Sequence, residues 1–183
     1  MGTPGFSVPC LAKLNNISDV VAVITQPDKP RGRGKKLTPS PVKEYAIQKN
    51  LPVYQPERIK SADFIPVLEK LTPHLIVVVA FGQILPPAIL AIPKLGCINV
   101  HASLLPRYRG AAPMQWCLIN GETMTGVTTM FMDAGLDTGD MLQKAEVSID
   151  PEMTLSELHD ILSEKGARPV SYTHLRAHET ELH

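Results

Sequence analysis

The sequence predicts an α/β fold: a doubly wound, mostly parallel sheet of Rossmann-like type. Three observations predict it. Residues 19–25, 74–80 and 96–100 are short runs rich in Val and Ile with no polar alternation, the pattern of strands buried on both faces. Helical periodicity fills the intervals between them, over 42–49 and 62–71 and more briefly over 87–91. Strands separated by helices require right-handed crossovers, and those wind the helices onto both faces of a sheet.

Length and composition bound the rest. The 183 residues suit one domain, and 44% of them are apolar, enough to build a core. Eighteen basic residues balance eighteen acidic ones, which excludes a surface that binds polyanions everywhere; a nucleic-acid contact would need a local patch. No apolar stretch is long enough to span a membrane and no charged-then-apolar leader opens the chain, so a cytoplasmic protein is expected. Cys10, Cys97 and Cys117 are widely spaced and odd in number, suggesting neither a disulfide framework nor a zinc site; they read as small buried apolar side chains. The 17 prolines fall between the periodic segments, as turn punctuation does.

Taken in order, Pro4 and Ser7 form a helix entry ahead of Val8, Leu11 and Leu14. Residues 113–119 read as a helix that ends at Asn120-Gly121. Beyond it, 127–132 and 141–149 alternate more loosely and are joined by the Gly-containing turn 133–140, a hairpin-like pair whose loop can close over the end of the sheet. Thr154 with Glu157 is a capping box, and Leu155, Leu158, Ile161 and Leu162 form the apolar face of the last helix. From Arg168 the pattern fails. Residues 168–183 look like translated adapter sequence and are set aside as a tail. Within it, the segment from His178 to His183 is one residue too long for His-Glu-x-x-His, so no metal site is expected.

The chemistry-bearing residues gather around one strand. If 95–100 is extended, Asn99 and His101 leave it on the same face, and Pro106 and Gly110 place them at its carboxyl end, where open α/β sheets collect ligands. Asp133, Asp137 and Asp140 lie on the turn that could bring a carboxylate to them; spacing alone does not choose, and loop aspartates commonly bond their own turn. The run Lys29-Pro30-Arg31-Gly32-Arg33-Gly34-Lys35-Lys36 is basic and too irregular for a regular element, and it lacks the spacing of a P-loop or dinucleotide fingerprint. In a chain otherwise balanced in charge it is the best candidate for a phosphate-backbone contact.

Asn99-Val100-His101-Ala102-Ser103-Leu104-Leu105-Pro106, continuing as Arg107-Tyr108-Arg109-Gly110-Ala111-Ala112-Pro113, resembles the signature of the folate-dependent formyltransferases, in the version that acts on methionyl-tRNA. The resemblance runs from Met1 to about Ala167 through Gln26-Pro27-Asp28, Arg31-Gly32-Arg33-Gly34-Lys35-Lys36, Pro39-Ser40-Pro41-Val42 and Met132-Asp133-Ala134-Gly135-Leu136-Asp137-Thr138-Gly139-Asp140. It implies formyl transfer from 10-formyltetrahydrofolate to the amino group of initiator methionyl-tRNA, with no metal. Asn99 would donate its amide N–H to the formyl oxygen, worth about 3 kcal/mol for one preorganised donor. His101 would supply a second donor, most effectively as imidazolium, and the resemblance picks Asp137 as the carboxylate that orients it and relays a proton.

The resemblance further implies that folate lies against Ser103, Leu104, Leu105 and Pro106 and the backbone around Phe81, Gln83, Ile84 and Leu85, although ordinary core packing explains Ile84 and Leu85 as well. Arg31, Arg33, Lys35 and Lys36 would touch the tRNA acceptor arm. Residues 1–167 would be a catalytic domain that begins one strand late, with Met1 matching an internal methionine and with the family's second, β-barrel domain not represented; a monomer is expected. A formyltransferase for a ribonucleotide or a sugar nucleotide, and an inactive RNA-binding fragment, are the competing readings.

Overall fold

The computed structural model describes the backbone of residues 1–31 and 36–181, with side chains for 1–30 and 36–170. After a short 3₁₀ turn, Gly5–Ser7, the elements run α1 (Val8–Ile17), β1 (Val23–Ile24), β2 (Lys29–Arg31), β3 (Lys36–Thr38), α2 (Pro41–Gln48), β4 (Val53–Tyr54) and α3 (Ile65–Leu71). The second part runs β5 (Ile76–Val78), α4 (Pro87–Leu90), β6 (Cys97–His101), α5 (Pro113–Ile119), β7 (Met124–Phe131), β8 (Met141–Ser148) and α6 (Leu155–Glu181).

The crossovers expected from the sequence are present. β1 pairs in parallel with β4 and β5 in parallel with β6. β7 and β8 then extend the sheet antiparallel, in the order β5-β6-β7-β8. Between β1 and β5 run Met1 and Gly2. The Gly2 N–H donates to the Ile24 carbonyl at 3.0 Å, Val79 donates to the Met1 carbonyl at 2.9 Å, and the Met1 amino group donates to the Val77 carbonyl at 2.7 Å. Beside this two-residue bridge opens a cavity of about 590 Å³, lined by side chains that include Leu14, Val20, Val23, Leu71, Ile76 and Leu95.

Successive residues of β5 face opposite ways, as the pleat demands. Ile76 and Val78 pack with Phe64, Leu68 and Ile89, whereas Val79 packs with Phe6, Val100, Val127, Leu158 and Leu162. Helices therefore cover both faces. Two of them start on caps that the sequence announces: the Ser40 Oγ accepts from the Lys43 N–H at 3.1 Å with Pro41 in the first turn, and the Glu157 carboxylate accepts from the Thr154 N–H at 2.8 Å. On α6, Leu158 and Leu162 are fully buried, each stabilising the fold by roughly 1.5–3 kcal/mol relative to exposure.

Four sequence expectations are corrected. The strand expected over 19–25 is confined to Val23 and Ile24, because beyond its pairing with β4 Gly2 alone among the described residues bonds to its other edge; Val21 is exposed. The basic run is not irregular at its flanks. β2 and β3 pair antiparallel with Pro30 opposite Leu37; residues 32–35 between them lie outside the described residues. The buried stripe of α6 is Leu158, Leu162, Ala167 and Val170 rather than the expected four, since Leu155 and Ile161 sit at its exposed margin. Finally, the helical path does not stop at Arg168: α6 continues to Glu181, with Val170 buried. His174, His178 and His183 lie outside the residues whose side chains are described.

Candidate active site

β6 ends at His101, and the two-residue period puts Asn99 and His101 on one face of it. The loop between β7 and β8 folds back over that face. Asp133 shapes the loop: its Oδ1 accepts from the Gly135 N–H at 2.9 Å and from the Thr138 hydroxyl at 2.8 Å, the turn-bonding role open to any loop aspartate. Gly139 lets the loop close, since a Cβ there would stand 1.9 Å from the Phe131 carbonyl oxygen. Asp140 contributes its own carbonyl to the Phe131 N–H and is exposed.

Asp137 is the aspartate that reaches the strand. Its backbone takes φ +53°, a conformation that non-Gly residues adopt only when their surroundings hold them. One carboxylate oxygen accepts from the Asn99 amide at 3.2 Å; the other accepts from the Gly110 N–H at 2.8 Å and lies 3.6 Å from His101 Nδ1. The Asp137 carbonyl accepts from Arg109 Nε at 2.9 Å. Asn99, His101 and Asp137 therefore converge.

On the far side of the ring, His101 Nε2 meets the Tyr108 carbonyl at 2.8 Å. A carbonyl only accepts, so this nitrogen carries the hydrogen. Nδ1 faces the Asp137 carboxylate at 3.6 Å, beyond hydrogen-bond length, so the carboxylate does not occupy it. The Asn99 amide has a second N–H beyond the one spent on Asp137. The nearby thiols add nothing: burial pushes Cys10 and Cys97 up to about 12, so both stay protonated and unreactive.

The expected folate-facing residues divide into two groups. Ser103 is fully buried and spends its hydroxyl on the Arg107 carbonyl at 2.7 Å. Leu105 and Phe81 are core residues; the Leu105 carbonyl accepts from Lys144 Nζ at 2.5 Å and the Phe81 carbonyl accepts from Thr3 and Gln26. Leu85 is buried too, and Gln83 uses its amide on the 57–59 segment. What stays open is Ile84, 82% exposed, with half-buried Leu104 and exposed Pro106. An exposed Ile in the segment that follows β5 is an apolar surface suited to a flat heterocycle with backbone polar groups at its rim.

Of the basic residues, Lys36 is exposed at the first position of β3, opposite Arg31, which contributes backbone to β2; Arg33 and Lys35 lie outside the described residues. The β2–β3 pair is tied to the rest by Asp28, whose carboxyl is held below its usual range by its bonds to Lys43 and Gln55. Lys29 Nζ donates to Gln26, which donates in turn to the Phe81 carbonyl, joining the basic strand pair to the segment beneath Ile84. Among the described residues no group of three His, Cys, Asp or Glu side chains could hold a metal ion.

Sequence reasoning missed the contributions of Tyr108, Arg109, Gly110 and Lys144. Tyr108 and Gly110 contribute through their own backbone atoms, and Arg109 and Lys144 reach backbone carbonyls, so every one of the four contacts has a backbone end that carries no residue signature; the positive φ of Gly110 is the part with a sequence correlate.

A formyl transferase family model matches residues 7–171. The chain belongs to the formyl transferase family. It is 60% identical over 174 residues to a methionyl-tRNA formyltransferase of Clostridioides difficile, covering 94% of this chain and 56% of that protein. A methionyl-tRNA formyltransferase of Clostridium perfringens is 62% identical over 167 residues, covering 91% of this chain and 54% of that one. The chain thus spans about half the length of these relatives. Among solved structures, phosphoribosylglycinamide formyltransferase from Bacillus halodurans matches with TM-score 0.78 at 20% identity, covering 95% of this chain and 92% of that one. A formyltetrahydrofolate deformylase from Pseudomonas syringae matches with TM-score 0.72 at 20% identity, covering 94% and 58%. At that identity the structures speak for the Rossmann-like formyltransferase fold.

Proposed function

We propose that this chain carries the site that transfers a formyl group from 10-formyltetrahydrofolate to the amino group of initiator methionyl-tRNA. The observation that carries the reading is the convergence of Asn99, His101 and Asp137 at the carboxyl end of β6. The neutral amine attacks the formyl carbon, and the carbonyl electrons move onto oxygen. The free N–H of Asn99 and the Nδ1–H of His101 in its charged form donate to that oxyanion, while Asp137 balances the imidazolium. As the C–N bond to the folate breaks, the proton released by the attacking amine passes by way of the Asp137 carboxylate and water to the folate nitrogen. The products are the formylated amine and tetrahydrofolate.

Folate would lie over Ile84, Leu104 and Pro106, with the buried Ser103, Leu105, Phe81, Leu85 and Gln83 supporting the slot from behind rather than touching it. Arg31, Arg33, Lys35 and Lys36 would meet the tRNA phosphates. The high identity to methionyl-tRNA formyltransferases supports this acceptor over a ribonucleotide. Among the described residues no helix is long and apolar enough to cross a membrane, which accords with a cytoplasmic site of action.

The test is a competition: the chain with 10-formyltetrahydrofolate and either methionyl-tRNA or glycinamide ribonucleotide as acceptor. The expected result is formylation of the tRNA and no turnover of the ribonucleotide. Preference for the ribonucleotide would overturn the acceptor assignment, and no transfer to either would overturn the reading.

A further inference from the structure

Tyr108 stands at φ +56°, which costs an L-residue energy unless something outside the backbone holds it there. Its side chain is held at both ends of one hydroxyl. The Tyr108 hydroxyl donates to Glu122 Oε1 at 2.6 Å and accepts from the Asn120 amide at 2.9 Å. Glu122 is paired in turn with the Arg107 guanidinium, which stacks 5.5 Å from the centre of the Tyr108 ring. The Tyr108 hydroxyl, with Arg107 beside it, holds the Glu122 carboxyl below its usual range, so this acceptor is ionised near neutrality. Asn120 and Glu122 flank Gly121 on the turn that enters β7, and β7 places Thr128 directly opposite His101. The backbone of Tyr108 is thereby referred to the same strand pair that carries the imidazole.

We propose that Glu122, Asn120 and the Tyr108 hydroxyl form a positioning clamp that presents the Tyr108 carbonyl to His101 Nε2 and confines the neutral imidazole to the Nε2–H tautomer. Because the carbonyl can only accept, the ring has one neutral arrangement, with the Nδ1 lone pair toward Asp137. A proton added to the ring then arrives at Nδ1, facing the carboxylate. The clamp residues touch no reacting atom; they act through His101. What the clamp serves rests on the formyl-transfer reading, whereas the tautomer is a property of the chain alone.

The experiment uses the whole chain, labelled with ¹⁵N, and long-range ¹H–¹⁵N correlation of its imidazoles well above the ordinary histidine range, so that rings are neutral. His101→Gln assigns the His101 signals by their loss. Wild type is expected to show the Nε2–H pattern at His101. Tyr108→Phe and Glu122→Ala are expected to shift that pattern toward a mixture of tautomers and to lower kcat about tenfold to a hundredfold, with the folate KM unchanged within about twofold. Glu122→Gln, which keeps an acceptor for the Tyr108 hydroxyl, is expected to retain most of the order. Tyr108→Gly supplies a second arm that is free of backbone strain at φ +56°: it too should lose the single tautomer. A wild-type tautomer pattern in Tyr108→Phe or in Tyr108→Gly overturns the clamp. A changed pattern in a chain whose wild type transfers no formyl group would leave the clamp standing and overturn the functional reading instead.

Discussion

On one side of β5 the backbone ladder runs without a gap through β6, β7 and β8; on the other side, Met1 and Gly2 are the described residues that bridge to β1, and a 590 Å³ cavity lies beside them. Asn99, His101 and Asp137 all belong to the continuous side. The contrast separates two properties that a shared sheet might have merged. Asn99 and His101 stand on a strand whose neighbours on both sides are paired with it, whereas side chains at the cavity border empty space and lose dispersion partners.

Asn99→Ala is the sharpest way to cut the continuous side without touching the other. Loss of one preorganised donor should lower formyl transfer by about 10²–10³-fold, with a urea midpoint close to that of wild type. Steady-state rates and urea unfolding together check it; a matching fall in stability would mean that Asn99 is holding the loop rather than serving the reaction.

Gly126→Ala attacks the ladder itself. A Cβ at Gly126 would stand 2.1 Å from the Ala145 carbonyl oxygen and 2.6 Å from Leu104 Cδ2, so β8 must move away from β7. The expected cost is about 1–3 kcal/mol in urea unfolding, accompanied by weaker folate binding because Leu104 is displaced. Full stability in this variant would show that the continuous side tolerates slack.

On the cavity side the sensitive group is the Met1 amine. Burial lowers it from its ordinary value of 8.0 to about 6. Between those values the unfolded chain binds a proton that the folded chain does not, so stability rises with pH across the window, and the cost is fully present below pH 6. The gain should be about 3 kcal/mol, read as a higher urea midpoint on the alkaline side, and acetylation of the amine should abolish the dependence. A midpoint that falls with pH across this window would contradict it.

The smallest effect is expected at Ser7, whose buried hydroxyl donates to the Val79 carbonyl at 2.6 Å. Ser7→Ala should cost about 1 kcal/mol by leaving that carbonyl short of a donor, with formyl transfer unchanged. A drop in kcat would couple the two sides of the sheet.

Much of this was legible in the sequence because local rules were obeyed. The Thr154–Glu157 box, the Pro41 helix start and the Asn-x-His spacing on a strand each follow from short-range geometry. What was illegible depended on backbone atoms or on the whole fold. Nothing in the residue type of Tyr108 says that its carbonyl faces a histidine, and the three loop aspartates look alike until Gly139 closes the turn and leaves Asp137 against β6. Leu155 and Ile161 fit a helical stripe as well as Leu158 does, yet both are exposed while Leu158 is buried, a difference that tertiary packing makes and local periodicity does not show.

Amide hydrogen exchange on the whole chain, with and without 10-formyltetrahydrofolate, tests most directly whether the site rests on the continuous side alone. The account predicts that amides of β6 and of the 127–130 segment of β7 exchange slowly, and that folate slows exchange at 81–85 and 103–110 while leaving Val23 and Ile24 unaltered. Folate protection centred on β1 and the cavity, with 103–110 unchanged, would contradict it.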